Sequence, residues 1–314
     1  MSSRGSLVSL PPEAASSVGH DVVVFGHTLA SHELFTDDAI AGLLDTFPTE
    51  KLFALTMGRD PKRWEDNERL AHAGLRGRDL LRAVTAGRMW LNITNVDAVD
   101  PRYRDLTTRL YEELGEQLPE YRGIESHCTL LVSSPDAMVY YHVDGPPSFL
   151  WHLRGEKQVW TYPALDTTLL PTPLLEDVFA GMRHEYVPYE NHFDDRAETR
   201  VLQPGEVISW PQNAPHRITN LGSLNVSLVT DHYTDAARRR ARVYTANRFL
   251  RTRCHVPGRF LAPSDDGPIA LAKVVANRLA KRVGLDPAGN AKAYPTPRRR
   301  VDPDAPEGIS LVAP

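Results

Sequence analysis

Cysteine is scarce in this sequence, with only Cys128 and Cys254 among 314 residues, and that scarcity excludes a disulfide framework as the basis of the fold. Cys128 lies in the apolar run Cys128-Thr129-Leu130-Leu131-Val132, so a buried thiol in a reducing compartment is expected and neither thiol is a candidate metal ligand. No apolar run approaches the roughly eighteen residues that a membrane span needs. Residues 1–18, rich in Ser, Pro and Ala, lack the continuous apolar segment of a secretory leader and read as a loose terminus. A cytoplasmic location without membrane association is the expectation. No internal repeat is visible.

Strong charge of one sign is also lacking, since the formal net charge is -4. That figure conceals an asymmetry. From Ala236 onward the chain carries 16 Lys and Arg against 6 Asp and Glu, which leaves 20 against 34 in the first 235 residues. Runs such as Arg238-Arg239-Arg240 and Arg298-Arg299-Arg300 would suit an acidic partner, but charge runs usually mark a solvated face, and specific nucleic-acid binding is not expected.

What is present is enough apolar residue, 41% of the chain, to bury one large core with helical additions. Ser31 and Glu33 ahead of Leu34, Ile40, Leu43 and Leu44 predict a capped helix ending before Pro48. Leu52 to Met57 and Trp90 to Ile93 read as strands, and Gly77 to Ala86 and Arg102 to Leu118 as helices. From Glu125 to Tyr233 the pattern changes to short strands rich in Val, Leu, Trp and Tyr between Pro and Gly turns, as a barrel or sandwich requires. An irregular stretch over 170–198 interrupts it and reads equally as a substrate lid or a surface insertion. Two helices follow, over 236–251 and 268–283; the second carries Ile269, Ala272, Val275 and Leu279 on one stripe, suited to the barrel or to a second copy in a homodimer. The expected organisation is a disordered terminus at 1–18, an α/β extension at 19–124, a catalytic core at 125–235, C-terminal helices at 236–285 and a mobile basic tail at 286–314.

In Met138-Val139-Tyr140-Tyr141-His142-Val143-Asp144 a strand points residues two apart to one face, so His142 and Asp144 can reach one ion. Taken alone, a His-x-Asp pair is weak. A second segment strengthens it: Gly205, five residues, Pro211, four residues, His216, three residues, Asn220. Pro204-Gly205 can turn, Glu206 to Trp210 can form a strand, and Asn213 tolerates the left-handed conformation before His216 opens the next strand. Two distant segments that bring two imidazoles and one carboxylate together form the facial triad that suits Fe(II) and leaves positions open for a cosubstrate and dioxygen.

On these motifs the chain resembles the JmjC or cupin-like branch of the Fe(II)- and 2-oxoglutarate-dependent oxygenases, the group that contains the asparaginyl hydroxylase of hypoxia-inducible factor. The resemblance covers residues 125–235. It implies a mainly β fold with flanking helices, a double-stranded β-helix or jelly roll, with N-terminal α/β additions and C-terminal helices. It implies His142, Asp144 and His216 as iron ligands and catalytic residues. It also implies Lys157, in the turn Gly155-Glu156-Lys157-Gln158-Val159, as the cation for the distal carboxylate of 2-oxoglutarate, whose cleavage to succinate and carbon dioxide would accompany hydroxylation. One family feature is absent: Val139 stands where the hydroxylase has a Thr that bonds the same carboxylate. Thr129, Tyr140 and Asn225, with Asn92, are the candidates to replace it. Trp151, Trp160 and Trp210 are candidate barrel linings, and His152 and His232 stay outside the ligand set. The motifs do not encode the substrate; a small molecule is favoured by analogy and a protein side chain is open. The competing readings are a metal cupin enzyme that ignores 2-oxoglutarate and a non-catalytic ligand sensor.

Overall fold

A computed structural model describes residues 5–261, 267–286, 289 and 295–312. The strands are β1 (Val8–Ser9), β2 (Val23–His27), β3 (Leu52–Thr56), β4 (Glu68–Ala71), β5 (Met89–Ile93), β6 (Ser126–Ser133), β7 (Met138–His142), β8 (Ser148–Arg154), β9 (Lys157–Thr161), β10 (Glu198–Leu202), β11 (Glu206–Ser209), β12 (His216–Asn220), β13 (Asn225–His232), β14 (Arg299–Val301) and β15 (Ile309–Leu311). They form two sheets. One has the order β1-β2-β11-β8-β13-β6-β5-β3-β4-β14-β15, and the other the order β10-β9-β12-β7. From β6 to β13 the chain passes back and forth between them, and the eight strands wind into a double-stranded β-helix. The barrel expected over 125–235 is therefore a closed roll of two facing four-stranded layers, the larger one extended by strands of the preceding segment.

Alternation explains which side chains face which way. In β6, Cys128, Leu130 and Val132 join the core behind the large sheet, so Thr129, Leu131 and Ser133 face the barrel interior. In β8, Phe149, Trp151 and Leu153 join that same core, while Leu150 packs inside the barrel with Val159, Ile208, Trp210 and Ile218. Being covered on both faces, β8 is buried along nearly all its length, which is why its sequence shows no polar alternation. Each fully buried Leu, Val or Ile contributes about 1.5–3 kcal/mol.

The core behind the large sheet is closed by α2 (Asp37–Thr46), α3 (Gly77–Ala86) and α4 (Pro101–Gln117). α4 starts with Pro101 in its first turn and with the Asp100 side chain accepting from the Arg102 N–H, a start that the fixed φ of proline favours. α2 begins later than Ser31 suggested. Thr36 is its cap, accepting from the Ala39 N–H, and residues 29–35 form two short 3-10 turns instead.

Two further expectations need correction. Residues 5–18 are structured: Leu7, Val8 and Leu10 are buried, β1 pairs with β2, and a short helix α1 covers Pro12–Ala15. Three apolar side chains found a place in the core, which outweighs the polar composition around them. Residues 295–312 are structured as well, because β14 pairs in parallel with β4 and antiparallel with β15, with Val301 buried. The remaining residues of the two expected loose ends, 1–4, 287–288, 290–294 and 313–314, lie outside the described residues.

The insertion over 170–198 carries α5 (Thr172–Phe179) and packs Leu170, Leu175, Val187 and Tyr189 on Tyr141 and Tyr162 of the small sheet's outer face, together with Tyr244. Tyr244 comes from α6 (Asp235–Arg253), which is followed by α7 (Gly267–Arg282). α7 rests on α6 through Ala270 and Ala280, whereas Ile269, Val275 and Leu279 of the expected stripe are exposed. Among the described residues no helix is long and apolar enough to cross a membrane.

Candidate metal and cosubstrate site

β7 and β12 are neighbours in the small sheet, with His142 opposite His216 and a bulge between His216 and Ile218. The bulge brings both imidazoles to the barrel interior. Their ring centroids lie 4.0 Å apart. Asp144, just past the end of β7, places Oδ1 3.8 Å from His142 Nε2 and Oδ2 3.4 Å from His216 Nε2. One ligand atom from each of the three lies within 4.8 Å of the others, the only such group among the described residues.

The tautomers suit a metal. His142 Nδ1 lies 2.7 Å from the Tyr140 carbonyl oxygen and His216 Nδ1 3.2 Å from that of Ala214. A carbonyl only accepts, so both rings donate from Nδ1 and present Nε2 lone pairs to the same point. Burial, reinforced by His142, pushes His216 well below its ordinary value, so it stays neutral. Asn213 holds φ at +71° in the loop before His216, the left-handed conformation expected there. Trp210 packs against the His216 ring at a tilt of 39°, with centroids 4.2 Å apart. The residues fit one divalent ion with two nitrogens and a carboxylate.

Along the small sheet, Thr161 lies opposite His216 and Lys157 opposite Asn220, so Lys157 stands further down the same interior wall. It is 4% exposed. Its Nζ donates to Ser227 Oγ at 2.8 Å, and among the described residues no carboxylate pairs with it. Burial alone pushes this ammonium down to about 7. A buried cation without an anion is a costly arrangement that an anionic ligand would relieve.

The other expected cosubstrate contacts are dispersed. Thr129 faces the interior from β6 beside Val229. The Tyr140 hydroxyl accepts from the Gly58 N–H at 2.8 Å and packs with Leu55, Met57 and Trp90. Asn225 gives its amide nitrogen to the Glu156 and Ser223 carbonyls, holding the turn before Lys157. Asn92 leaves a buried Oδ1 without a partner. Of the tryptophans only Trp210 adjoins the triad; Trp151 is in the core behind the large sheet, and Trp160 lies outside the barrel beneath the Arg217 guanidinium. His232 is also on the far side of the large sheet, stacked on Phe149.

Two sets of residues escaped the sequence reading. Ser227 is one; the alternation Asn225, Ser227, Val229 on β13 was the signal that it faces inward. The other is the insertion's edge, where the Val143 and Val187 N–H groups bond Glu185 and Tyr141 across the end of β7. This sets the Tyr186 ring 5.9 Å from His142 and stacked on Trp64, a pairing that no spacing rule connects.

The alternation of β6 to β13 between two layers, with the triad on the small sheet, defines the fold as a double-stranded β-helix with a candidate metal centre. Among solved structures, YcfD from Escherichia coli is similar over 88% of this chain and 68% of that chain, at 16% identity and a TM-score of 0.51. A second structure of YcfD, described as a ribosomal oxygenase, has the same identity and coverage with a TM-score of 0.47, and a third, in complex with cobalt and 2-oxoglutarate, gives 0.48. No protein-family model matches the chain, and no curated protein matches it. The expectation of a small-molecule partner is corrected here, since YcfD is a ribosomal oxygenase. That preference had no residue behind it, because the motifs serve only metal and cosubstrate.

Proposed function

We propose that the chain is an Fe(II)- and 2-oxoglutarate-dependent oxygenase that hydroxylates a side chain presented by a protein. The observation that carries this is a buried ammonium without a carboxylate partner, Lys157, on the same barrel wall as a group of two imidazoles and one carboxylate. A neutral ligand sensor has no need for that cation, and neither has a metal cupin that ignores 2-oxoglutarate. His142, Asp144 and His216 would hold the iron, and Lys157 the distal carboxylate of the cosubstrate. When bound, iron and 2-oxoglutarate supply the oxidising power for hydroxylation, with succinate and carbon dioxide released.

The protein's own contribution is placement. The Tyr140 and Ala214 carbonyls fix the ligand tautomers, and apolar Val159, Ile218 and Trp210 exclude water between the triad and Lys157. Support for a protein substrate comes from the fold shared with YcfD. The acidic balance of the first 235 residues favours a basic partner.

The test is anaerobic titration of the apo-protein with Fe(II) and 2-oxoglutarate, watching the visible charge-transfer band of the chelated keto acid. The band should form in the wild type and be lost in His216→Ala and Asp144→Ala. Iron binding without a band would refute the cosubstrate reading.

A further inference from the structure

Lys157 ends a chain of hydrogen bonds with a defined direction. Its Nζ is 2.8 Å from Ser227 Oγ, that oxygen is 3.1 Å from His152 Nδ1, and His152 Nε2 is 2.8 Å from the Gly155 carbonyl oxygen. Because the carbonyl only accepts, His152 carries its proton on Nε2 and leaves Nδ1 as an acceptor. Burial, with the Lys157 charge adding to it, pushes His152 down to about 3, so the ring is neutral at pH 7. Ser227 must therefore give its single hydrogen to His152 and receive one from Lys157. Each bond polarises the next, and a hydroxyl that has donated is a better acceptor for the ammonium.

The framework behind this chain is rigid. His152 and Ser227 lie opposite one another on β8 and β13, and both are fully buried. Gly155 sits at φ +80°, and a Cβ there would meet the Leu224 carbonyl oxygen at 2.6 Å, so the position of the terminal acceptor depends on glycine. Val139 and Ile218, paired on the small sheet, offer no donor to an anion.

We propose that Ser227 and His152 are positioning residues for the distal carboxylate of the cosubstrate. They hold Lys157 Nζ at one point of the wall by one of its three N–H groups and leave the other two for the carboxylate. This rests on the 2-oxoglutarate reading above. Without the relay, a four-carbon stem with rotatable donors would have no fixed end, and cosubstrate binding would have to order it.

Equilibrium binding to the Fe(II)-loaded protein, followed anaerobically through the visible band, tests this with two probes. 2-Oxoglutarate carries the distal carboxylate; 2-oxobutyrate chelates iron in the same way and lacks it. Ser227→Ala should weaken 2-oxoglutarate about tenfold, the size of one lost hydrogen bond to a charged group, and leave 2-oxobutyrate unchanged. Ser227→Thr, which keeps the hydroxyl, should restore affinity, and His152→Asn, which keeps an acceptor near the Nδ1 position, should bind more tightly than His152→Leu. Equal 2-oxoglutarate affinity in wild type and Ser227→Ala overturns the proposal. So does an equal loss for both keto acids in Ser227→Ala and Ser227→Thr, which would mark a purely structural role. Absence of the band in the wild type is a different result, removing the cosubstrate reading and this inference with it.

Discussion

Replacing Asp194 by Asn should loosen the insertion from the barrel by a calculable amount. Asp194 receives the Arg217 guanidinium and the hydroxyls of Tyr162 at 2.5 Å and Tyr189 at 2.8 Å. Arg217 comes from β12, the strand that carries His216, and lies 3.5 Å over the Trp160 ring; its side chain is 11% exposed against 31% for Asp194. Removing one member of a fully buried ion pair costs about 3–5 kcal/mol. Here the carboxylate is nearly a third exposed, the amide still accepts hydrogen bonds, and the guanidinium keeps its aromatic face, so about 2 kcal/mol is expected. That is about thirtyfold in an opening equilibrium at 1.36 kcal/mol per decade. Hydrogen exchange at the Val143 and Val187 amides, which bond across the junction, reads it directly, and both should exchange about thirtyfold faster while β8 and β13 keep their protection. The sign of the pH dependence is also fixed. Burial would raise the Asp194 carboxyl, but the bonds from Arg217, Tyr162 and Tyr189 outweigh it and hold it below its ordinary value. The contribution is thus present above about pH 4 and lost as pH falls through that lowered value. Unchanged exchange at both amides in Asp194→Asn would refute the assignment of this carboxylate as the lock.

Two other outcomes can be measured. Because burial brings Lys157 to about 7, the ammonium fraction falls as pH rises through 7, and 2-oxoglutarate affinity should drop roughly tenfold or more between pH 6.5 and 8.5. The unfolded chain keeps that proton to about pH 10.5, so the stability of the cosubstrate-free protein should rise over the same interval; Lys157→Met should abolish both trends, and their persistence would assign them elsewhere. Deleting residues 295–312 should lower Tm by about 5 °C, through loss of buried Val301 and of the Arg299–Glu68 pair, while Fe(II) binding survives. An unchanged Tm in calorimetry would show that these residues add nothing to the fold.

The residues that are local in pattern were the ones that could be read from sequence. Alternation in Tyr140 to Asp144 and the Gly205 to Asn220 spacing encode strand, turn and strand, and the helices at 77–86 and 102–118 follow from apolar periodicity. Lys157 was reachable because a two-residue connection, Gly155-Glu156, fixes its distance from β8. Ser227 was not, since its role depends on Lys157 of the facing sheet and on the tautomer of His152. Leu7, Val8 and Val301 were overlooked for a related reason: short apolar segments in polar surroundings become strands only when a sheet edge is waiting for them, and the sequence around them does not show that edge. The stripe on α7 is legible as a pattern, but its exposed Ile269, Val275 and Leu279 do not pack on the barrel, because periodicity shows that a helix has an apolar face and not what covers it.

The pairing of β14 with β4 sets an order of events in synthesis. Arg299 and Glu68 are 231 residues apart, so the edge that β4 presents stays uncovered on the ribosome until residue 299 has emerged. During that interval β4 is a template for the strands of other nascent chains. Glu68 and Arg69 put charges of both signs on this strand, which discourages such pairing, and the later arrival of the Arg299 side chain on Glu68 turns a guard against aggregation into the closing contact of the native sheet.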